Sequence, residues 1–171
     1  MAFSPAGIHE ALEHLVDELV KRDVSARITI VGGAAMALVH APRPSTGDVD
    51  ATYRPIDEVE AGSAVVGDRY GYPPGWINDD VAQFSPPGGE LDPTILIERS
   101  GVTVWVAGPH HMLAMKLRAA RGRRDETDIE ALLDRCGIRS LAAAAELFER
   151  YYPDVELKEL AVEVVQRHVN G

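Results

Sequence analysis

The chain has a single cysteine, few aromatic residues and a deficit of positive charge, and each shortage excludes something. Cys136 alone forms no intrachain disulfide, so the fold rests on core burial, and its place on the apolar side of an expected helix reads as a small buried thiol. Against 27 acidic residues stand 17 basic ones, a net charge of -10. That balance argues against a general nucleic-acid coat protein, because sequence-independent binding needs Lys and Arg to neutralise phosphates. No apolar run approaches the roughly 20 residues that span a bilayer. The opening MAFSPAGIHEALEHLV also lacks the basic-then-apolar order of a secretory signal. The expectation is a cytoplasmic protein with no membrane partner. What is there, 46% hydrophobic and 26% charged residues over 171 positions, is the composition of a globular chain able to bury a proper core.

The order of the expected elements is informative. Ile8, Leu12, Leu15, Val16 and Leu19 recur at helical spacing, which predicts an amphipathic helix over 6–22. A strand over 27–31 ends at Gly32-Gly33, a helix covers 34–40, and a second strand covers 48–54 after the APRPSTG connection. A helix over 56–67 precedes a long Gly/Pro-rich irregular segment, 68–93, of the length that is usually functional or mobile. TILIER and VTVWVA flank Ser100-Gly101, a two-residue hairpin signal. Beyond Gly108 the pattern is helical, over 109–121, 126–136, 139–151 and 154–169. The fold class expected is α/β (α+β): a small mixed sheet with flanking helices, followed by an all-helical C-terminal part. As domains this gives a core with its N-terminal helix at 1–108 and a helical part packed on it at 109–171.

The stretch VGGAAMALVHAPRPSTGDVDATYR, residues 31–54, carries the chemistry. A strand running through Gly32-Gly33 into a helix presents unpaired backbone N–H groups with no side chain to block an approaching phosphate. By itself a Gly-Gly corner is more often a plain turn, and neither GxGxxG nor GxxxxGK[ST] is present. Asp48 and Asp50, one residue apart on a strand, project to one face, and a divalent metal is the usual relief for two adjacent carboxylates. Mg²⁺, or Mn²⁺, suits a set of few carboxylates completed by phosphate oxygens. Two solvated acids on an edge strand are the plain alternative; the phosphate corner in the same strand-helix-strand unit counts against it.

Gly32-Gly33, then Arg43, Ser45 or Thr46, then Asp48-x-Asp50 resembles the signature of the DNA polymerase beta type nucleotidyltransferase superfamily. The downstream HHMLAMKLRAARGRRDETDIEALL is similar to the helical segment of bacterial nucleotidyltransferase-like proteins related to AbiE-type toxins, and GWIND is similar to a stretch in a branch of them. The likeness covers residues 27–135. It implies a nucleotidyltransferase-like fold, an NTP such as ATP as donor, and two metal ions roughly 4 Å apart that bridge the carboxylates and the triphosphate. The implied reaction is in-line attack of a hydroxyl on the α-phosphorus. The acceptor is RNA such as tRNA, or a protein, and the chain is then a toxin with an antitoxin protein as partner. Two other readings stand beside it: a catalytically weak or inactive nucleotide-binding regulatory module acting through a protein partner, and a small-molecule, antibiotic-type nucleotidyltransferase. A third carboxylate usually completes such a site. The 102–106 strand has no acid, so Glu98 is the best candidate and Asp79 and Asp80 are its rivals.

In the helical segment, Lys116 falls amid the apolar arc of Met112, Leu113, Met115, Leu117, Ala119 and Ala120 at about 100° per residue. Its ammonium therefore snorkels, or meets a buried partner, Asp125, or a bound triphosphate. Asp125 also reads as a helix N-cap with Asp128 at the third helical position. Lys116, Arg118, Arg121, Arg123 and Arg124 form a basic run that is either a solvated helix face or a surface for nucleic acid, and it tilts the acceptor toward tRNA. His9 and His14 are turned about 140° apart on a helix and do not readily share a metal. His110 and His111 read as residues at a helix start. Trp76 and Trp105 read as core or rim residues before base-stacking ones.

Overall fold

The computed structural model describes residues 2–41 and 44–171, the side chain of Arg124 excepted. The described elements form a mixed α/β fold with one five-stranded sheet and seven α-helices. The chain divides into two compact units, one of residues 1–83 and 93–107 and the other of 84–92 and 108–171. Residues 84–92, placed by the sequence pattern in the first domain, thus belong with the second unit. No helix among the described residues is long and apolar enough to cross a membrane.

The first unit opens with α1, Pro5–Lys21, where the Ser4 Oγ accepts the Gly7 N–H at 3.1 Å and Pro5 supplies a preset helical φ. The sheet contains β1 (Ala26–Ile30), β2 (Val49–Arg54), β3 (Ile77–Asn78), β4 (Thr94–Arg99) and β5 (Val102–Val106), in the order β3-β2-β1-β5-β4. β1 pairs antiparallel with β2 and parallel with β5; β2–β3 is parallel and β4–β5 is a hairpin. Its turn, Ser100-Gly101, has φ of 46° and 85°, both in the left-handed range that such a two-residue connection requires.

Alternation along the strands gives the sheet two unlike faces. Ala26, Ile28, Ile30, Val49, Ala51, Tyr53, Val102, Val104 and Val106 are all buried on one face. α1 and α3 (Ile56–Tyr70) pack together there, and Arg99 at the edge pairs with Glu13 and Asp17 of α1. The other face holds Arg27, Thr29, Asp50, Thr52, Arg54, Thr103 and Trp105, of which Thr29 alone is buried. Between β1 and β2 run α2 (Gly32–Ala35) and a π-helical turn, Met36–His40. The segment expected to be irregular over 68–93 contains β3 and a 3-10 turn, Asp80–Phe84.

The second unit comprises α4 (Pro109–Ala119), α5 (Arg123–Cys136), α6 (Leu141–Tyr151) and α7 (Glu159–Asn170) with the segment 84–92. That segment is tied to the end of α6: Gly88 N–H donates to the Tyr151 carbonyl at 3.2 Å, Tyr151 Oη donates to the Glu90 carbonyl at 2.6 Å, and Tyr152 Oη to the Phe84 carbonyl at 2.8 Å. Gly-Gly in the sequence reads only as a loop; the two tyrosines sixty residues downstream decide where it goes.

Candidate functional site

The corner between β1 and α2 is built by the sheet itself. Val31 N–H donates to the Asp50 carbonyl at 2.9 Å, so β1–β2 pairing continues to the first glycine. Gly32 then turns with φ of 61°, a conformation that residues with a Cβ adopt at a cost. The space a Cβ would take at Gly32 is filled by the Asp50 side chain, whose Cγ lies 3.0 Å from that position. Only glycine fits, for both reasons.

This changes the meaning of the corner. The first-turn N–H groups of a helix have no intrahelical acceptors and favour a negative charge. Here the Asp50 carboxylate of the chain itself lies against Gly32, where the sequence pattern reserved the place for phosphate. A phosphate arriving at the same point meets a carboxylate, so a cation between them is what makes the two compatible. β2 begins at Val49, and Asp48 is an exposed residue of the bend before it.

β3 brings a neighbour that the sequence pattern did not single out. Asn78 pairs in register with Asp50 on the parallel β2–β3 ladder, so the two side chains share one face one strand spacing apart, about 4.8 Å. Asn78 Oδ1 accepts the Asp80 N–H at 3.2 Å, an Asx-type turn at the end of β3. Burial, and then the charges of Asp79, Glu60 and Asp80, push the Tyr53 phenol up to about 12. The signal for Asn78 was the quoted GWIND; what hid it was that a two-residue strand is defined by its partner.

Glu98 is not brought to Asp50. It pairs with Thr103 on β4, at the opposite edge of the sheet, three strand spacings or about 14 Å from β2. Its row is that of Arg27 and Arg54, four residues along β2 from Asp50. Glu98 therefore cannot share an ion with Asp50, and this corrects its assignment as third carboxylate. Among the described residues no group of three His, Cys, Asp or Glu side chains is arranged to hold a metal. Thr46 is buried and its backbone forms a bridge with Phe3 at 2.7 and 2.9 Å, so it anchors the N-terminus and is closed to a ligand. Ser45 is half-buried beside it. Arg43 lies outside the described residues.

In the second unit Lys116 and Asp125 form the anticipated ion pair, 3.0 Å apart, and Asp128 joins at 2.8 Å. All three are buried. Asp125 Oδ2 also accepts the Arg121 N–H at 3.0 Å and lies 3.3 Å from its Nε. Burial would raise the Asp125 carboxyl, but the charge and hydrogen bond of Lys116, with both contacts of Arg121, outweigh it and hold the group below the ordinary carboxylate range. Gly122, not Asp125, is the N-cap of α5; Asp125 stands in the first turn and reaches back to Arg121. Lys116 is thus neutralised internally by two acids, and a triphosphate would have to displace them.

The remaining residues take plain roles. Arg118 lies over the Tyr152 ring at 4.7 Å. His14 stacks on Tyr70 at 3.6 Å and shares a hydrogen bond with the Tyr72 hydroxyl at 3.2 Å. Trp76 is buried and donates to the Ser63 carbonyl at 3.0 Å. Cys136 is half-buried, and burial pushes its thiol up to about 11, so it stays protonated. No family model, no curated protein and no solved structure matches the chain.

Proposed function

We propose that the first unit handles a nucleoside triphosphate at the Asp50 end of its sheet and, with Mg²⁺, transfers an NMP to a hydroxyl acceptor. The observation that carries this reading is the lodging of the Asp50 carboxylate against Gly32, beside Asn78 and two residues from the exposed Asp48. The donor set fits a hard divalent ion, which takes one or two carboxylates and completes its shell with water and phosphate oxygens. Asp50 and Asp48 are the residues that would hold it. When bound, the ion supplies neutralisation of the triphosphate and acidification of the acceptor hydroxyl. The absence of a Cβ at Gly32 keeps Asp50 close to the backbone, and the Asn78 amide is a hydrogen-bonding group for a phosphate or sugar oxygen. The resemblance to the DNA polymerase beta type superfamily, with its RNA or protein acceptors and toxin–antitoxin members, agrees with this assignment and rests on the same residues.

One observation favours a second reading, a nucleotide-binding module without turnover that acts through a protein partner: no third acid joins Asp48 and Asp50 among the described residues. The test separates them. The protein, with Asp48→Asn and Asp50→Asn variants, is incubated with each labelled NTP, Mg²⁺ and cell RNA or lysate, and NTP binding is measured by calorimetry alongside. Transfer by the wild type that falls at least a hundredfold in both variants supports the enzyme. Label that persists in the variants sinks the metal assignment, and NTP binding without any labelled acceptor selects the module.

A further inference from the structure

The sheet face of Arg27 and Asp50 carries a second arrangement, away from Asp50. In register across four strands lie Arg54, Arg27, Thr103 and Glu98, and in the next row Thr52, Thr29, Trp105 and Ile95. Arg27 and Arg54 are both exposed, and as direct cross-strand partners they hold like charges side by side, an unfavourable pairing unless an anion lies between them. Arg54 donates to the Tyr53 carbonyl at 2.6 Å, and Arg27 stands over the Trp105 ring at 5.9 Å; neither has a carboxylate partner among the described residues. Glu98, the acid of that row, is two strands from Arg27. Beside half-exposed Trp105, Ile95 is 57% exposed, an aliphatic side chain left in water on a face that otherwise carries polar and charged side chains.

We propose that this face binds a single-stranded nucleic acid, with a phosphodiester between Arg27 and Arg54 and a base stacked on Trp105 against Ile95. A sheet face that combines a half-exposed aromatic ring with exposed guanidinium groups is suited to an unpaired strand, whose bases offer π-faces and whose backbone offers charge. The acidity of the chain as a whole makes two adjacent guanidinium groups without an acid partner among the described residues a local exception, and charge complementarity selects a polyanion. Arg54 is about 13 Å along β2 from Asp50, so a strand held there runs toward the proposed metal end. In naming the acceptor class the inference rests on the transfer reading; the binding itself uses neither Asp48 nor Asp50.

The test is performed in EDTA without NTP, which keeps the two readings apart. A fluorescently labelled single-stranded oligouridylate is titrated with the full chain, following anisotropy for affinity and tryptophan emission for stacking. Trp76 is buried, so quenching reports Trp105. Binding should weaken steeply with added salt. Arg27→Gln/Arg54→Gln should abolish it, Trp105→Leu should weaken it roughly tenfold, and Trp105→Phe should restore most of it. Circular dichroism checks that each variant folds. Asp50→Asn should bind as the wild type does; if it binds while the wild type transfers no nucleotide, the transfer reading alone fails. Absence of binding at low salt, binding that survives Arg27→Gln/Arg54→Gln, or loss in Arg121→Gln/Arg123→Gln instead overturns the proposal.

Discussion

The Lys116 cluster of the second unit and the Arg27–Arg54 pair of the first are opposite treatments of positive charge. Lys116 lies in the densest basic run of the sequence, yet it is buried between two carboxylates, and its neighbours Arg118 and Arg121 are engaged with Tyr152 and Asp125. Arg27 and Arg54 are far apart in sequence, with no basic run around either, and the β1–β2 register places them side by side with no acid partner among the described residues. Linear charge density is therefore a poor guide to where an anion binds. What counts is which charges the tertiary contacts leave unneutralised, because a buried ammonium survives only with partners whereas an exposed guanidinium needs none.

The contrast can be broken most forcefully at Lys116. Lys116→Met leaves Asp125 and Asp128 buried without their shared cation and should lower unfolding free energy by about 3–5 kcal/mol in a urea titration. Arg27→Gln/Arg54→Gln should stay within about 0.5 kcal/mol per site. Equal effects would erase the distinction between the two regions. Next comes His111 of the second unit, packed edge-on to Tyr151 at 5.7 Å, where burial pulls the imidazole down to about 4. Its folded pKa lies below the unfolded value, so the unfolded chain takes a proton that the folded chain refuses. Stability should fall as the pH drops from about 6.5 to about 4, by at most about 3 kcal/mol, and His111→Phe should flatten that part of the profile. The Asp125 contribution, from a carboxyl held low, is lost only below the ordinary carboxylate range and is separable by its pH window. A smaller effect than that of His111 is expected at the sheet corner: Gly32→Ala should cost about 2 kcal/mol, from the left-handed φ and from displacement of Asp50. In an Asp50→Ala background the penalty should shrink by about half or more, a coupling readable in a double-mutant cycle. Strict additivity there would show that Asp50 is not lodged on the glycine.

Much of the secondary structure was legible because it depends on short-range periodicity. The 3.6-residue repeat of α1, the Ser100-Gly101 turn and the strands on either side of it come within one or two residues of the observed bounds. The Lys116–Asp125 pair was legible for the same reason, as an arc calculation on two adjacent helices. The site was legible only in part. Asp50 stands at the corner as the pattern suggested, but the glycine there accommodates Asp50 itself. Glu98 followed from the lack of an acid in β5 and proved to be on the wrong edge, since strand order is absent from local pattern. β3 and its Asn78 escaped notice because two residues carry no alternation to read.

By itself the sequence determined the longer helices, the hairpin, the apolar side of β2 and the presence of a glycine corner followed by two aspartates. Each of these follows from steric and hydrophobic preferences acting within a dozen residues. The tertiary structure alone decided the strand order, the filling of the corner by Asp50 and the addition of Asp128 to the Lys116–Asp125 pair. Those depend on which distant segments pack together, and the free energy of a charge depends on what that packing puts beside it.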